Sequence, residues 1–332
     1  MTETDTPTPE YDLAELRLES RVGGRGTDAA RRIPVISLAD FEERRAEITD
    51  QLWTAATEIG FFQLSDHGIP QELVDAGFAS AEQFFGLPHE TKAQYPWKRG
   101  LNAGWESLAQ VRPSTRVADQ KESYQMTRPH MDGLWPTEDE APGFRDTLLS
   151  VEDACWTVAM RVLSCFAERL GFERDFFAEA HDPDGEGYQS TVRILHYFPL
   201  SAEDFESGQW RAGAHTDWNC LTLLFQRDGQ SGLQVCPGAE ALDGTWTDVV
   251  PDETVITCNI GDMLMRWSDG QLYSNLHRVR GPRHDEPVVS RYSMAFFAQA
   301  NKTALIESPT GAFAPLTAGE FMQERIDANY TA

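Results

Sequence analysis

Basic residues are scarce in this chain: 28 Lys and Arg stand against 53 Asp and Glu, a formal charge of −25 over 332 residues. Such an excess repels phosphate backbones and anionic bilayers, so neither nucleic acid nor membrane is expected as a partner. Long apolar runs are missing too, none approaching the roughly 20 residues that cross a bilayer. Residues 1–10 are acidic and polar, the wrong chemistry for a signal peptide. Cys155, Cys165, Cys220, Cys236 and Cys258 are odd in number, far apart and without a C-x-x-C. Neither a disulfide scaffold nor a structural zinc cluster is expected from them, and a cytoplasmic location is. No glycine-rich loop follows a strand, which excludes a dinucleotide-binding reading. What is plentiful is apolar surface, 41% hydrophobic and 11% aromatic residues, enough for a sizeable core.

Residues 1–32 read as a flexible extension, rich in Thr, Pro and Glu and then in glycine at Gly23-Gly24-Arg25-Gly26. Order is expected from the strand signal Ile33-Pro34-Val35-Ile36. A helix should follow, with Asp40 and Glu43 as a capping box and Ile48, Leu52, Ala55 and Ile59 on one face before Gly60. Phe61-Phe62-Gln63-Leu64 reads as a strand, and Val151, Cys155, Val158, Val162 and Phe166 form the stripe of a helix between Ser150 and Gly171. Residues 33–185 are thus expected to be mainly helical. From 186 to 305 short β-rich runs take over at 191–198, 220–226, 232–236, 246–250, 254–260, 263–267 and 290–299. Turn signals such as Asp228-Gly229, Pro237-Gly238, Asp243-Gly244 and Asp269-Gly270 separate them, which predicts a sandwich or jelly roll. Residues 306–332 form a C-terminal segment. The expectation is one α+β domain over 33–332, with helices on a β core.

Three short patterns carry chemistry. In His215-Thr216-Asp217 an extended backbone puts positions i and i+2 on one side, so the imidazole and the carboxylate can grip one ion. His277 offers a third ligand from a later strand. Two histidines and a carboxylate leave open positions on an octahedral ion, the facial arrangement of non-haem Fe(II) oxygenases. Singly, H-x-D arises easily in an Asp-rich chain, and a capped or surface histidine accounts for His277 as well. The third pattern is Arg291-Tyr292-Ser293, 14 residues past His277. Arg291 and Ser293 share a strand face, where a guanidinium and a hydroxyl suit a carboxylate. An internal salt bridge would account for Arg291 alone equally well.

With those residues in that order, the chain resembles the isopenicillin N synthase-like family of Fe(II)/2-oxoglutarate-dependent oxygenases. The likeness extends over about residues 33–298. It includes Gly60-Phe61-Phe62-Gln63, His67-Gly68-Ile69-Pro70, Gly232-Leu233-Gln234-Val235, Asn259-Ile260-Gly261-Asp262 and His277-Arg278-Val279. The resemblance implies a double-stranded β-helix core, a jelly roll, with helices outside it. It implies Fe(II) at His215, Asp217 and His277, and 2-oxoglutarate at Arg291 and Ser293. O2 would oxidise a C–H bond of a small molecule, a natural-product or amino-acid-derived intermediate, while 2-oxoglutarate leaves as succinate and CO2. Many members carry Asn-Tyr-Tyr-Pro where this chain has His196-Tyr197-Phe198-Pro199. His196 then becomes a candidate co-substrate contact, and Phe198 loses one.

By the same resemblance Tyr124 and Met126 approach the substrate, and Phe297 and Gln299 extend the face of Ser293. Trp218 and Asn219 follow the metal ligands directly. Hydroxylation, desaturation and ring closure share one ligand set, so the outcome stays open, as does the oligomeric state. Three other readings stand beside this one. They are a 2-oxoglutarate-independent oxidase like the family namesake, a non-catalytic metal-binding jelly roll, and a zinc hydrolase, which would have no use for R-x-S.

Overall fold

Residues 17, 19, 21–23, 26–111, 115–237 and 244–330 are described in the computed structural model. Two sheets build the centre. The larger has eight strands in the order β2 (Val35–Ser37), β3 (Phe61–Ser65), β11 (Ile256–Ile260), β8 (Leu221–Gln226), β13 (Arg291–Ala298), β6 (Thr191–Tyr197), β5 (Lys121–Met126) and β4 (Gly104–Ser107). The smaller has five, in the order β1 (Thr27–Asp28), β10 (Thr245–Asp248), β9 (Leu233–Val235), β12 (His277–Val279) and β7 (Ala212–His215). Pairing is antiparallel except for β2 on β3 and β1 on β10.

Strict alternation gives each face of the large sheet its task. Along β13, Met294, Phe296 and Ala298 enter the main core while Arg291, Ser293, Ala295 and Phe297 line a cavity between the sheets. On β6, Val192 and Ile194 enter that core while Thr191, Arg193, Leu195 and Tyr197 line the cavity. The helices Arg45–Glu58, Gln71–Phe85 and Phe144–Leu170 cover the core face. The stripe Val151, Cys155, Val158, Val162 and Phe166 is buried as expected, and the long helix ends at Gly171 in the left-handed region, φ 83°. Each such fully buried large side chain contributes about 1.5–3 kcal/mol by removal from water.

Several elements differ from the expectation. The first helix begins only at Arg45, after Arg44, without a side-chain cap, and Asp40 sits at φ 51° in the turn before it. The segment 263–267 belongs to a helix, Asp262–Trp267, because a short apolar run fits either period. That helix follows Gly261, where a β-carbon would lie 2.2 Å from the Asn219 carbonyl oxygen. Residues 33–185, mainly helical, also supply β2 to β5, half of the large sheet, which the expectation of a β core from 186 did not include. The end of the supposed extension is docked: β1 pairs with β10, Val22 is buried, and Arg278 Nη1 donates to the Gly23 carbonyl at 3.0 Å. Residues 1–16, Gly24 and Arg25, and the turn positions Gly238 and Asp243, lie outside the described residues.

Candidate active site

β12 pairs with β7 so that His277 lies directly opposite His215, and the two rings stand 4.3 Å apart between centroids. β7 ends at His215, so Asp217 comes from the turn that follows, not from the strand itself. That turn is fixed by the Asp262 amide, which donates to the Asp217 carbonyl at 2.8 Å. One donor atom from each of His215, Asp217 and His277 lies within 4.8 Å of the others.

The remaining atoms of the three are committed elsewhere. His215 Nδ1 is 2.8 Å from the Gly213 carbonyl and His277 Nδ1 is 3.3 Å from that of Asn275. A carbonyl only accepts, so Nδ1 carries the hydrogen and each Nε2 keeps its lone pair for a metal. Asp217 Oδ2 accepts from Thr222 Oγ1 at 2.6 Å and from Asn259 Nδ2 at 2.8 Å. Its Oδ1 lies 3.7 Å from His277 Nε2. Two imidazoles and one carboxylate converging in this way fit a divalent iron.

Along β13 from this centre stands Arg291, 1% exposed. Its Nε donates to the Gln230 carbonyl at 3.0 Å and its Nη2 to Gln226 Oε1 at 3.0 Å. The guanidinium carbon lies 4.8 Å from the centre of the Tyr197 ring. Nη1 of Arg291 and Oγ of Ser293 are buried without a hydrogen-bond partner. An acidic partner, the internal alternative, is absent among the described residues. Burial lowers the Arg291 pKa, yet an arginine stays charged. Burial works to raise the Tyr197 phenol, but the Arg291 and Lys121 charges outweigh it and leave the group below its usual value. The place is built for an anion that is itself a hydrogen-bond acceptor.

Of the other candidates, Phe297, Gln299, Trp218 and Asn219 line the cavity. Asn219 spends its amide on its own turn, donating to the Leu221 carbonyl and Thr222 Oγ1 at 3.0 and 2.9 Å. Tyr124, Met126 and His196 do not line it. Alternation turns Tyr124 and Met126 into the helix-side core, where the Tyr124 hydroxyl donates to the Leu134 carbonyl at 2.8 Å. His196 faces the same way, with Nδ1 2.9 Å from Glu122 Oε1, Nε2 3.0 Å from Ser290 Oγ, and its ring stacked on Tyr292. The cavity instead receives Tyr197, Arg193, Lys121, Gln125 and Trp97, with Met322 from the C-terminal helix Ala318–Tyr330. Val192 and Ile194 alternating with Thr191 and Arg193 was the signal for the β6 face.

Known proteins of similar sequence agree with this geometry. Residues 33–142 match the family described as non-haem dioxygenase in morphine synthesis N-terminal, and residues 189–300 match the 2OG-Fe(II) oxygenase superfamily. Proline hydroxylase buaE of Petromyces alliaceus is 32% identical over 279 residues, covering 80% of this chain and 85% of that one. The 2-oxoglutarate-Fe(II) type oxidoreductase hxnY of Emericella nidulans is 33% identical, covering 77% of this chain and 75% of its own. The crystal structure of a full-length Neurospora crassa protein in complex with alpha-KG and thymine has a TM-score of 0.79 and 29% identity, over 93% of this chain and 100% of that one. The chain therefore belongs to the isopenicillin N synthase-like family of 2OG-Fe(II) oxygenases, and is an enzyme that uses Fe(II), 2-oxoglutarate and O2.

Proposed function

We propose that His215, Asp217 and His277 hold the iron, and that Arg291 and Ser293 bind the distal carboxylate of 2-oxoglutarate beside Tyr197. The substrate then lies toward Phe297, Gln299 and Trp218, where one of its C–H bonds is oxidised. The observation that carries this reading is the pair of buried, unpartnered donors, Arg291 Nη1 and Ser293 Oγ, on the cavity face of the strand that passes the metal-binding residues.

Iron, when bound, supplies the redox chemistry with 2-oxoglutarate as co-substrate. The chain's own residues position and enclose. Thr222 and Asn259 hold Asp217 so that Oδ1 is presented, and the carbonyls of Gly213 and Asn275 set the imidazole tautomers. Gln226, whose amide nitrogen lies 3.2 Å from Thr257 Oγ1, turns its carbonyl oxygen to Arg291. Phe297, Trp218 and Leu195 wall the space with apolar surface.

The two facing sheets support a double-stranded β-helix over 186–305, inside a single domain that takes in β1 as well as the chain from 33 onward. A small-molecule substrate is supported by the relatives, one named for proline and one crystallised with thymine. The five cysteines, all buried and widely spaced, support a cytoplasmic location, and the charge of −25 speaks against nucleic acid and membranes as partners. Among the described residues no helix is long and apolar enough to cross a membrane. Anaerobic addition of Fe(II) and 2-oxoglutarate should produce a weak visible charge-transfer band, and admission of air with a substrate should release succinate. Absence of the band in wild type, with Arg291→Leu indistinguishable from it, would overturn the assignment.

A further inference from the structure

Two guanidiniums line the cavity, and their surroundings differ in charge. Arg291 meets only neutral acceptors and retains its full charge for an anion. Arg193, opposite Ala295 in the β13–β6 register and so about 13 Å from Arg291 along the strand, meets a carboxylate. Its Nη2 is ion-paired with Glu106 Oε1, and its Nε and Nη2 reach Ser123 Oγ at 3.1 and 2.9 Å. Ser123 in turn donates to Glu106 Oε1 at 3.0 Å. Glu106 is 7% exposed and its Oε2 is buried without a partner, while Nη1 of Arg193 makes no hydrogen bond among the described residues. Arg193 lines the cavity and Glu106 stands behind it.

Building on the site reading above, we propose that Glu106 is a positioning residue that fixes and neutralises Arg193. The substrate end thereby accepts a neutral carbonyl group and rejects carboxylates, a second 2-oxoglutarate among them. A neutralised guanidinium still donates a directed hydrogen bond through Nη1, but an approaching carboxylate also meets the field of the Glu106 charge. Gln299, whose Oε1 is buried and unpartnered on the same wall, adds a neutral polar contact. The cavity can then hold a dianion at one end and an uncharged molecule at the other without exchanging them.

The test uses the full chain loaded anaerobically with Fe(II). Equilibrium dialysis counts bound 2-oxoglutarate, and the visible band reports binding of uracil, a neutral dicarbonyl ring, and of orotate, its carboxylate. Wild type should bind one 2-oxoglutarate per chain and favour uracil over orotate at least ten-fold. E106Q should move that ratio at least ten-fold toward orotate and take up a second, weaker 2-oxoglutarate, and E106D should restore the wild-type ratio. Should E106Q fail to fold, R193Q replaces it, expected to lose the uracil response and keep one 2-oxoglutarate. An unchanged ratio in E106Q, an unchanged uracil response in R193Q, a wild type that favours orotate, or one that binds neither probe would overturn the proposal. Loss of the visible band and of all 2-oxoglutarate binding in wild type would instead remove the site reading, and this proposal with it.

Discussion

Thr222 and Asn259 face each other across the β8–β11 pairing and donate to the same carboxylate oxygen of Asp217. One turn residue is thereby held from two strands, and the oxygen left over is the one that points at His277. Removing one of the two donors should loosen the ligand without unfolding the sheet. Asn259→Leu is expected to weaken Fe(II) binding about 10–100-fold. Metal titration of the apoprotein checks it, and unchanged affinity would detach Asn259 from the site. Ala at His215, Asp217 or His277 should abolish turnover with little loss of thermal stability.

Arg291 sets the second prediction. Arg291→Leu removes a buried charge that the co-substrate completes, so binding of 2-oxoglutarate should weaken by about 3–5 kcal/mol. That is a loss of about 10²–10⁴-fold. Tyr197→Phe keeps the ring under the guanidinium and removes one polar contact, and should cost about 1.5–3 kcal/mol at most. Equilibrium dialysis of 2-oxoglutarate separates the two, and an Arg291→Leu variant that binds normally would place the anchor elsewhere.

How far the site could be read beforehand follows from these residues. His215 and Asp217 were legible because they stand two residues apart, Arg291 and Ser293 because they share a strand at period two, and His277 only through the order of motifs in the resemblance. Tyr197, Arg193 and Lys121 were not, because their role depends on which face of β6 and β5 turns inward, and only the pairing with β13 decides that. The likeness to Asn-Tyr-Tyr-Pro pointed to His196 and Phe198, one residue out of step with the face that β6 presents. Most β runs were visible from turn signals. The helix Asp262–Trp267 was not, because six residues are too few to show a period. The docked strand β1 was hidden because two residues carry no pattern, and what orders them is Trp246 and Arg278 far along the chain.

His181 makes stability depend on pH. It is fully buried, with Nδ1 2.7 Å from the Phe177 carbonyl, and burial holds its pKa down to about 4. In the unfolded chain it titrates near its ordinary value of about 6.5. Below that pH the unfolded chain takes up a proton that the folded one refuses, so the contribution is complete above about 6.5 and is lost as pH falls toward 4. The loss amounts to about 3 kcal/mol. His181→Gln should therefore show a shallower fall of Tm than wild type between pH 7 and 4.5. Parallel curves would show that His181 titrates normally.

Phe297 and Tyr124 divide substrate contact from core packing. Phe297 lies opposite Thr222 on β8, whose hydroxyl binds Asp217, so its ring stands at the level of the metal-binding residues on the cavity face. Tyr124 lies on the other face of the sheet, with its ring 4.7 Å from Phe84 and 5.2 Å from Phe144 between centroids. Its burial pushes the phenol well above the usual range, as suits a hydroxyl that only donates to a carbonyl. Phe297→Ala removes a wall from the place where the substrate is oriented, and orientation decides which bond is attacked. It should change the product ratio or raise KM at least ten-fold with little change in Tm. Tyr124→Phe keeps the packing and loses one hydrogen bond, leaving a buried carbonyl unpaired, for about 1–3 kcal/mol of stability and no change in products. Product analysis and thermal unfolding of both variants decide the matter. A Tyr124→Phe enzyme with altered products, beside a Phe297→Ala enzyme with the original ones, would reverse the assignment of the two faces.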